Sequence, residues 1–306
     1  MSSSKKAKKL ALFRRGVAAA QQYTSSSGLY LCPICGTGFS QSALSTGELT
    51  LEDVPPASVG GKGIVLTCKG CNNEAGNSID RAVACRARLI EFKKVVVQGA
   101  SGLAGNATLS IGGEYVNVVV TCDAEGTLQF ESPPGRNDPH VAKRTIAHFE
   151  SLVRDGNWKG EEFSITARER YHSRLAMVGD LKAAFLIAFA AFGYRYAFDP
   201  RLDLVRQQIL NPRDHVIDGW TIALNQSGDT RYLLLITELL PGVVVKLDRV
   251  GILLPWLNST RDFYSDLATR YKPNEAMQLN GKSIAWPTRL EMALDFWHPS
   301  HTELQS

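Results

Sequence analysis

Four of the six cysteines stand in two C-x-x-C pairs, Cys32/Cys35 and Cys68/Cys71, with 32 residues between the pairs. A turn of this spacing brings two thiolates to one metal while its backbone N–H groups face the sulfurs, and two such turns complete the tetrahedral shell that Zn²⁺ takes in structural sites. Gly36 and Gly70 suit the tight turns. Cys85 and Cys122 stand alone. In a chain of 306 residues this usage points to a metal held in a reducing compartment, not to a disulfide framework, which would be shorter and denser in cysteine. Zinc would act here as folding energy, because so small a module has little core of its own.

Oxygen donors flank the thiols. Glu52 and Asp53 end an alternating, strand-like run, and Pro55-Pro56 and Gly60-Gly61 then force a turn. Beyond the second pair, Asn72 to about Arg88 is compatible with helix apart from Gly76. Asn73, Asn77 and Asp80 recur at i, i+4 and i+7 and share one face of it, while Ala75, Ile79, Ala82 and Val83 line another. If the strand packs on this helix, Glu52 or Asp53 faces the polar stripe. Carboxylate and amide oxygens of this kind suit Mg²⁺ or Mn²⁺.

Taken together, LCPICGTGFS, the EDVPP strand end, the Gly-Gly turn and the LTCKGCNNEAG helix start resemble the HNH endonucleases with a zinc-stabilised ββα-metal core. The resemblance covers about residues 30–85. It implies a treble-clef fold around a structural zinc on the four cysteines. It also implies one divalent Mg²⁺ or Mn²⁺ that stabilises the scissile phosphate and the leaving oxygen. By the same resemblance Glu52 is a metal ligand, Asn72 follows the second knuckle, and Asn77 or Asp80 takes the place of the last ligand. The family's strand carries a His where this chain has Asp53, and no His precedes His140. Asp53 is then a weaker general base or a second metal ligand, since a carboxylate near pKa ~3.9 accepts protons poorly at neutral pH unless burial raises it. The expected activity is hydrolysis of phosphodiester bonds in DNA. The alternative is a catalytically degenerate, zinc-dependent nucleic-acid-binding protein. A third, weaker reading is a protein–protein adaptor.

The charge distribution agrees with a phosphate-rich partner. Through Lys94 the chain has 13 Lys and Arg against 6 Asp and Glu, the remainder 21 against 24, and no acidic residue precedes Glu48. Positive potential therefore belongs to the N-terminal third, with Lys5, Lys6, Lys8, Lys9, Arg14, Arg15, Lys62 and Lys69 as candidate backbone contacts. The longest apolar run, Ala183 to Phe192, is half the ~20 residues a membrane span needs. The N-terminus lacks a signal-type apolar stretch, so a cytoplasmic protein without membrane attachment is expected.

These residues must be positioned by an α+β chain: a small zinc module followed by a larger α+β domain. Composition divides it into a basic arm at 1–27, the cysteine module at 28–92, a β-rich segment at 93–136 ending near Ser132-Pro-Pro-Gly135, and an α+β region at 137–306. Helices are expected at about 5–22, at 139–154 with Pro near its start and Gly156 past its end, at 171–192, and after Pro200. Strands are expected at 95–97, 115–122, 127–132, 220–224, 232–237 and 243–247. The stretch to Phe192 is apolar nearly all round towards its end, as a buried core helix is. Arg168, Arg170 and Arg174 suit either phosphate or a solvated helix start. Tyr194 and Tyr196 suit base stacking less well than a core strand. His140, His148, His172 and His215 read as single structural or surface residues, and His298 and His301 as a solvated pair. No phosphate-cradling Gly-rich loop and no nucleophile elbow occur.

Overall fold

Helical spacing and strand alternation combine in a mixed α+β structure, here a computed structural model. It describes residues 3–24, 28–156, 162–224, 231–236, 240–247, 250–270 and 279–288, without the side chains of 3 and 74–77. His298 and His301 lie outside the described residues. The chain divides into two compact units. One comprises Met1–Val83 with Ser173–Ser306, and the other Ala84–His172. Those divisions fall at 83/84 and 172/173, whereas composition suggested 27/28, 92/93 and 136/137.

The first unit begins with α1 (Ser3–Tyr23). Short strands β1 (Tyr30–Leu31) and β2 (Gly38–Phe39) pair around the first cysteine turn. Helix α2 (Ala43–Thr46) leads into the antiparallel hairpin of β3 (Leu49–Val54) and β4 (Lys62–Cys68). Gly61 is fixed by close approach, because a Cβ there would lie 1.4 Å from the Pro55 carbonyl oxygen. Helix α3 (Lys69–Ala75) runs through a π turn at Gly76–Asp80 into α4 (Arg81–Gln98).

The second unit carries a four-stranded antiparallel sheet. Its strands are β5 (Ala104–Ile111), β6 (Glu114–Cys122), β7 (Leu128–Glu131) and β8 (Phe163–Ala167), in the order β7-β6-β5-β8. Alternation in β5 and β6 buries Ala107, Leu109, Val116, Val118 and Val120 on one face. Helix α5 (Pro139–Asp155) covers that core with Ala142 and Phe149, its start capped by the Asp138 carboxylate, which accepts from the His140 and Val141 amides.

The first unit resumes with α6 (Ser173–Phe192), α7 (Tyr194–Ala197) and α8 (Asp203–Leu210). A five-stranded antiparallel sheet follows: β9 (Thr221–Ala223), β10 (Tyr232–Ile236), β11 (Gly242–Leu247), β12 (Val250–Pro255) and β13 (Gly281–Ala285), in the order β13-β10-β11-β12-β9, with α9 (Phe263–Arg270) between β12 and β13 in sequence. Among the described residues α6 is the one helix whose length and composition would suit a membrane, and it is instead buried in this protein core. It packs on β11 and β12 and also on the π turn, β3 and β4. One hydrophobic core therefore joins α1, the cysteine hairpins, α6 and the five-stranded sheet.

Three expectations change. Val95–Val97 are not a strand but the last turns of α4: Val95 is buried in the second core, and Gly99 at φ +63° ends the helix. Burial of one valine outweighs the strand preference of three. The helix expected at about 5–22 forms over Ser3–Tyr23, and what changes is that it packs into the core instead of standing free as a basic arm. Lys9, Leu12, Phe13 and Ala20 face inward, and Gly16 lies against the Tyr30 ring. The helix after the second cysteine pair is broken by the π turn, where the sequence suggested only a tolerated Gly76.

Candidate metal centre and the acidic pocket

The first cysteine pair lies at the β1–β2 turn, where the Gly36 amide donates to the Cys32 carbonyl and Gly36 adopts φ +77°. The second pair closes β4 and opens α3. The four sulfurs lie within 4.8 Å of one another. Cys35 Sγ and Cys68 Sγ are 3.8 Å apart. A tetrahedral zinc with Zn–S of about 2.3 Å requires sulfur–sulfur edges of about 3.8 Å, so the donor set fits this ion. Backbone amides face the sulfurs as well: Cys68 N donates to Cys32 Sγ and Cys71 N to Cys68 Sγ, both at 3.4 Å. Cys32, Cys68 and Cys71 are buried and Cys35 is exposed. The four thiols thus form a cluster that could hold a metal ion.

Tyrosines lock this cluster into the fold. The buried Tyr30 hydroxyl donates to Leu66 O at 2.7 Å and accepts from Leu66 N at 3.3 Å, bridging the first knuckle to β4. The Tyr194 hydroxyl donates to Leu31 O and accepts from Leu31 N. Tyr196 is fully buried and donates to Pro255 O. Neither Tyr194 nor Tyr196 is a base-stacking platform; both brace the core, on a helix where a strand was expected.

Strand β3 directs Glu52 inward and leaves Asp53 exposed, with a register irregularity between them. Glu52 is 3% exposed. Its Oε2 accepts from the Thr67 hydroxyl at 2.9 Å, and its Oε1 accepts from the Lys182 ammonium at 2.5 Å. The same ammonium reaches Asp80 Oδ2 at 3.0 Å and Oδ1 at 3.3 Å. Glu52 and Asp80 therefore converge, as the strand-on-helix argument required. The cation between them is a side chain from α6, 102 residues beyond Asp80.

Burial is the largest influence on both members of the closest pair. It pushes the Glu52 carboxyl above the ordinary range against the pull of Lys182. It opposes charge on Lys182 as well, but the Glu52 and Asp80 carboxylates more than offset this and hold the ammonium above the ordinary lysine value. The pocket is a buried lysine ion-paired to two carboxylates.

Asn72 is half-buried, and its amide donates to the Thr50 hydroxyl at 2.8 Å, joining α3 to β3. Asn73 and Asp53 are exposed. The Asn77 side chain lies outside the described residues. On α1, Lys5, Lys6, Lys8, Arg14 and Arg15 are exposed, as are Lys62 and Lys69 on the hairpin and α3. Lys9 is corrected: it is 8% exposed and its ammonium points to Leu49 O at 3.4 Å, so it serves packing and not a phosphate. Arg174 is likewise internal. It contacts Asp218, Gln208, and the carbonyls of Asp214 and Ile217, and stacks over Trp220 at 4.6 Å. Sequence reasoning missed Lys182, although a lysine two residues after Asp180 inside an apolar helix is the pattern of a buried, paired cation.

Comparisons with models of known protein families, with curated proteins and with solved structures returned no match.

Proposed function

We propose that this chain is a zinc-stabilised nucleic-acid-binding protein whose HNH-like module no longer performs metal-dependent cleavage. The observation that carries this reading is the Lys182 ammonium, 2.5 Å from Glu52 and 3.0 Å from Asp80. A divalent ion drawn to the same carboxylates would lie close to a buried positive charge. At about 4 Å and an effective dielectric of about 20, that repulsion is on the order of 8 kcal/mol. The position of the family's His is held by Asp53, which is exposed.

Support for a nucleic-acid partner comes from the placement of positive charge. Lys9 touches Leu49, Leu49 pairs with Cys68, and the Lys69 amide donates to Glu48 O. The N-terminal half of α1, with exposed Lys5, Lys6 and Lys8, thus adjoins the strand end from which Lys69 emerges. Such a group would position a phosphate backbone without reading sequence. The zinc cluster fixes the start of α3 and hence Lys69.

The rival reading is an HNH-type DNA endonuclease using Mg²⁺ or Mn²⁺. Its specific support is the convergence of Glu52 and Asp80 on a single cation; it requires Lys182 to withdraw. The test of the preferred reading is fluorescence anisotropy of zinc-loaded protein on duplex DNA from 50 to 200 mM salt. Log K is expected to fall linearly with log salt, with a slope of about −0.9 for each phosphate contacted. Absence of salt-sensitive binding to DNA would remove this proposal in favour of a protein–protein adaptor.

A further inference from the structure

We propose that Cys35 is the oxidant-accepting thiol of the four-cysteine centre, and that its oxidation joins it to Cys68 and releases the bound ion. The inference rests on the zinc reading of the four thiols and is independent of nucleic-acid binding. Five of the six cysteines are buried, and Cys35 alone is exposed. Its sulfur lies 3.8 Å from Cys68 Sγ, on the opposite knuckle, and 3.2 Å from the Thr37 hydroxyl. The buried Cys32 and Cys68 sulfurs instead take backbone amides. With a metal bound, all four sulfurs would be thiolates, the form that reacts with peroxides. An oxidant arriving from solvent therefore meets one activated sulfur, with a second within reach.

The chemistry is a two-electron oxidation by a hydroperoxide. A lone pair on Cys35 sulfur attacks one peroxide oxygen, the O–O bond breaks, and the departing oxygen takes a proton and leaves as water or an alcohol. Cys35 is then a sulfenic acid. The Cys68 thiolate attacks its sulfur, an S–S bond forms, the S–O bond breaks, and the hydroxyl takes a second proton and leaves as water. Two thiolates have supplied the two electrons that reduce the peroxide. Only Cys32 and Cys71 would remain as ligands, too few to hold an ion in a closed zinc site. The start of α3 at Lys69–Cys71 would then lose its anchor.

The test uses full-length, zinc-loaded wild-type protein purified under argon. Zinc content is measured first, then zinc release during hydrogen peroxide treatment by a chromogenic chelator. Dimedone labelling at low conversion and peptide mapping of disulfides follow. The expected result is one zinc per chain at the start, dimedone on Cys35 before any other cysteine, and zinc released in step with a Cys35–Cys68 crosslink. The C85S/C122S double variant, which leaves the four ligands intact, is expected to release zinc within twofold of the wild-type rate. Zinc retained while Cys85 or Cys122 oxidises, or released with a different crosslink, overturns the proposal and leaves the zinc reading standing. Protein that carries no zinc at the outset, with four free thiols, overturns both.

Discussion

The Lys182 ammonium lies 2.5 Å from Glu52 Oε1 with both side chains almost fully buried, at 3% and 4% exposure. This ion pair fastens the β3–β4 hairpin to the central helix, and Asp80 adds the turn between α3 and α4 to the same point. In an interior setting, attraction between such groups roughly offsets the loss of their hydration, but removing one partner leaves the other charge buried and unpaired. The pocket is therefore organised around its own cation.

Lys182→Met should lower unfolding free energy by about 3–5 kcal/mol at neutral pH, the usual loss when one member of a buried pair is removed. Denaturant unfolding followed by circular dichroism measures it. The E52Q/K182M double variant should lose less than the sum of the two single variants, because it leaves one buried carboxylate fewer without a partner.

The pH dependence follows from the two directions of shift. Lys182 is held above the ordinary lysine value by its carboxylates. Its stabilisation is therefore complete below the unfolded value of about 10.4 and is lost as pH climbs through the folded one. Glu52 is raised chiefly by burial. The stability linked to its neutral form is complete below about pH 4.3 and is lost as pH rises through its folded value. The stability gap between wild type and Lys182→Met should be widest at mid-range pH. It should narrow in acid, where the orphaned Glu52 carboxyl protonates, and in strong alkali, where the wild-type ammonium is lost. Denaturation series on both proteins across pH check this; a gap independent of pH contradicts it.

Removing zinc with a chelator should abolish the cooperative thermal transition of the first unit. Structural zinc contributes on the order of 10 kcal/mol or more to small sites, and Tyr30, Ile34 and Leu66 belong to the same core as α6. Calorimetry before and after chelation, with zinc restored as control, measures the effect.

Single substitutions separate contact from packing on α1 and α3. Lys8→Ala and Lys69→Ala should each reduce the magnitude of the salt slope of DNA binding by about 0.9 if each touches one phosphate. Lys9→Met should leave the slope unchanged, since its ammonium already meets Leu49 O inside the protein. A reduced slope for Lys9→Met, with none for the other two, would show the interface to be elsewhere.

The cysteine frame was legible because metal ligation fixes residue type and spacing together: Cys32, Cys35, Cys68 and Cys71 need no tertiary information to be grouped. The strand-on-helix argument put Glu52 or Asp53 opposite Asn73, Asn77 and Asp80; Glu52 and Asp80 are the two that meet at Lys182, and Asp80 does so from a π turn that the helical period did not foresee. Lys182 was not read as their partner, because a contact spanning 130 residues leaves no local period. Val95–Val97 misled for the opposite reason: their strand preference is local, while the burial that makes them helical is not. The inward turn of Lys9 was hidden in the same way, since a lysine among exposed lysines carries no mark of the face it occupies.

The most direct test of the account is plasmid nicking by zinc-loaded wild-type protein with Mn²⁺ or Mg²⁺, run beside Glu52→Ala. With Lys182 filling the pocket, no nicking above the Glu52→Ala background is expected under either ion. Nicking by the wild type that disappears in Glu52→Ala would contradict the account and restore the endonuclease.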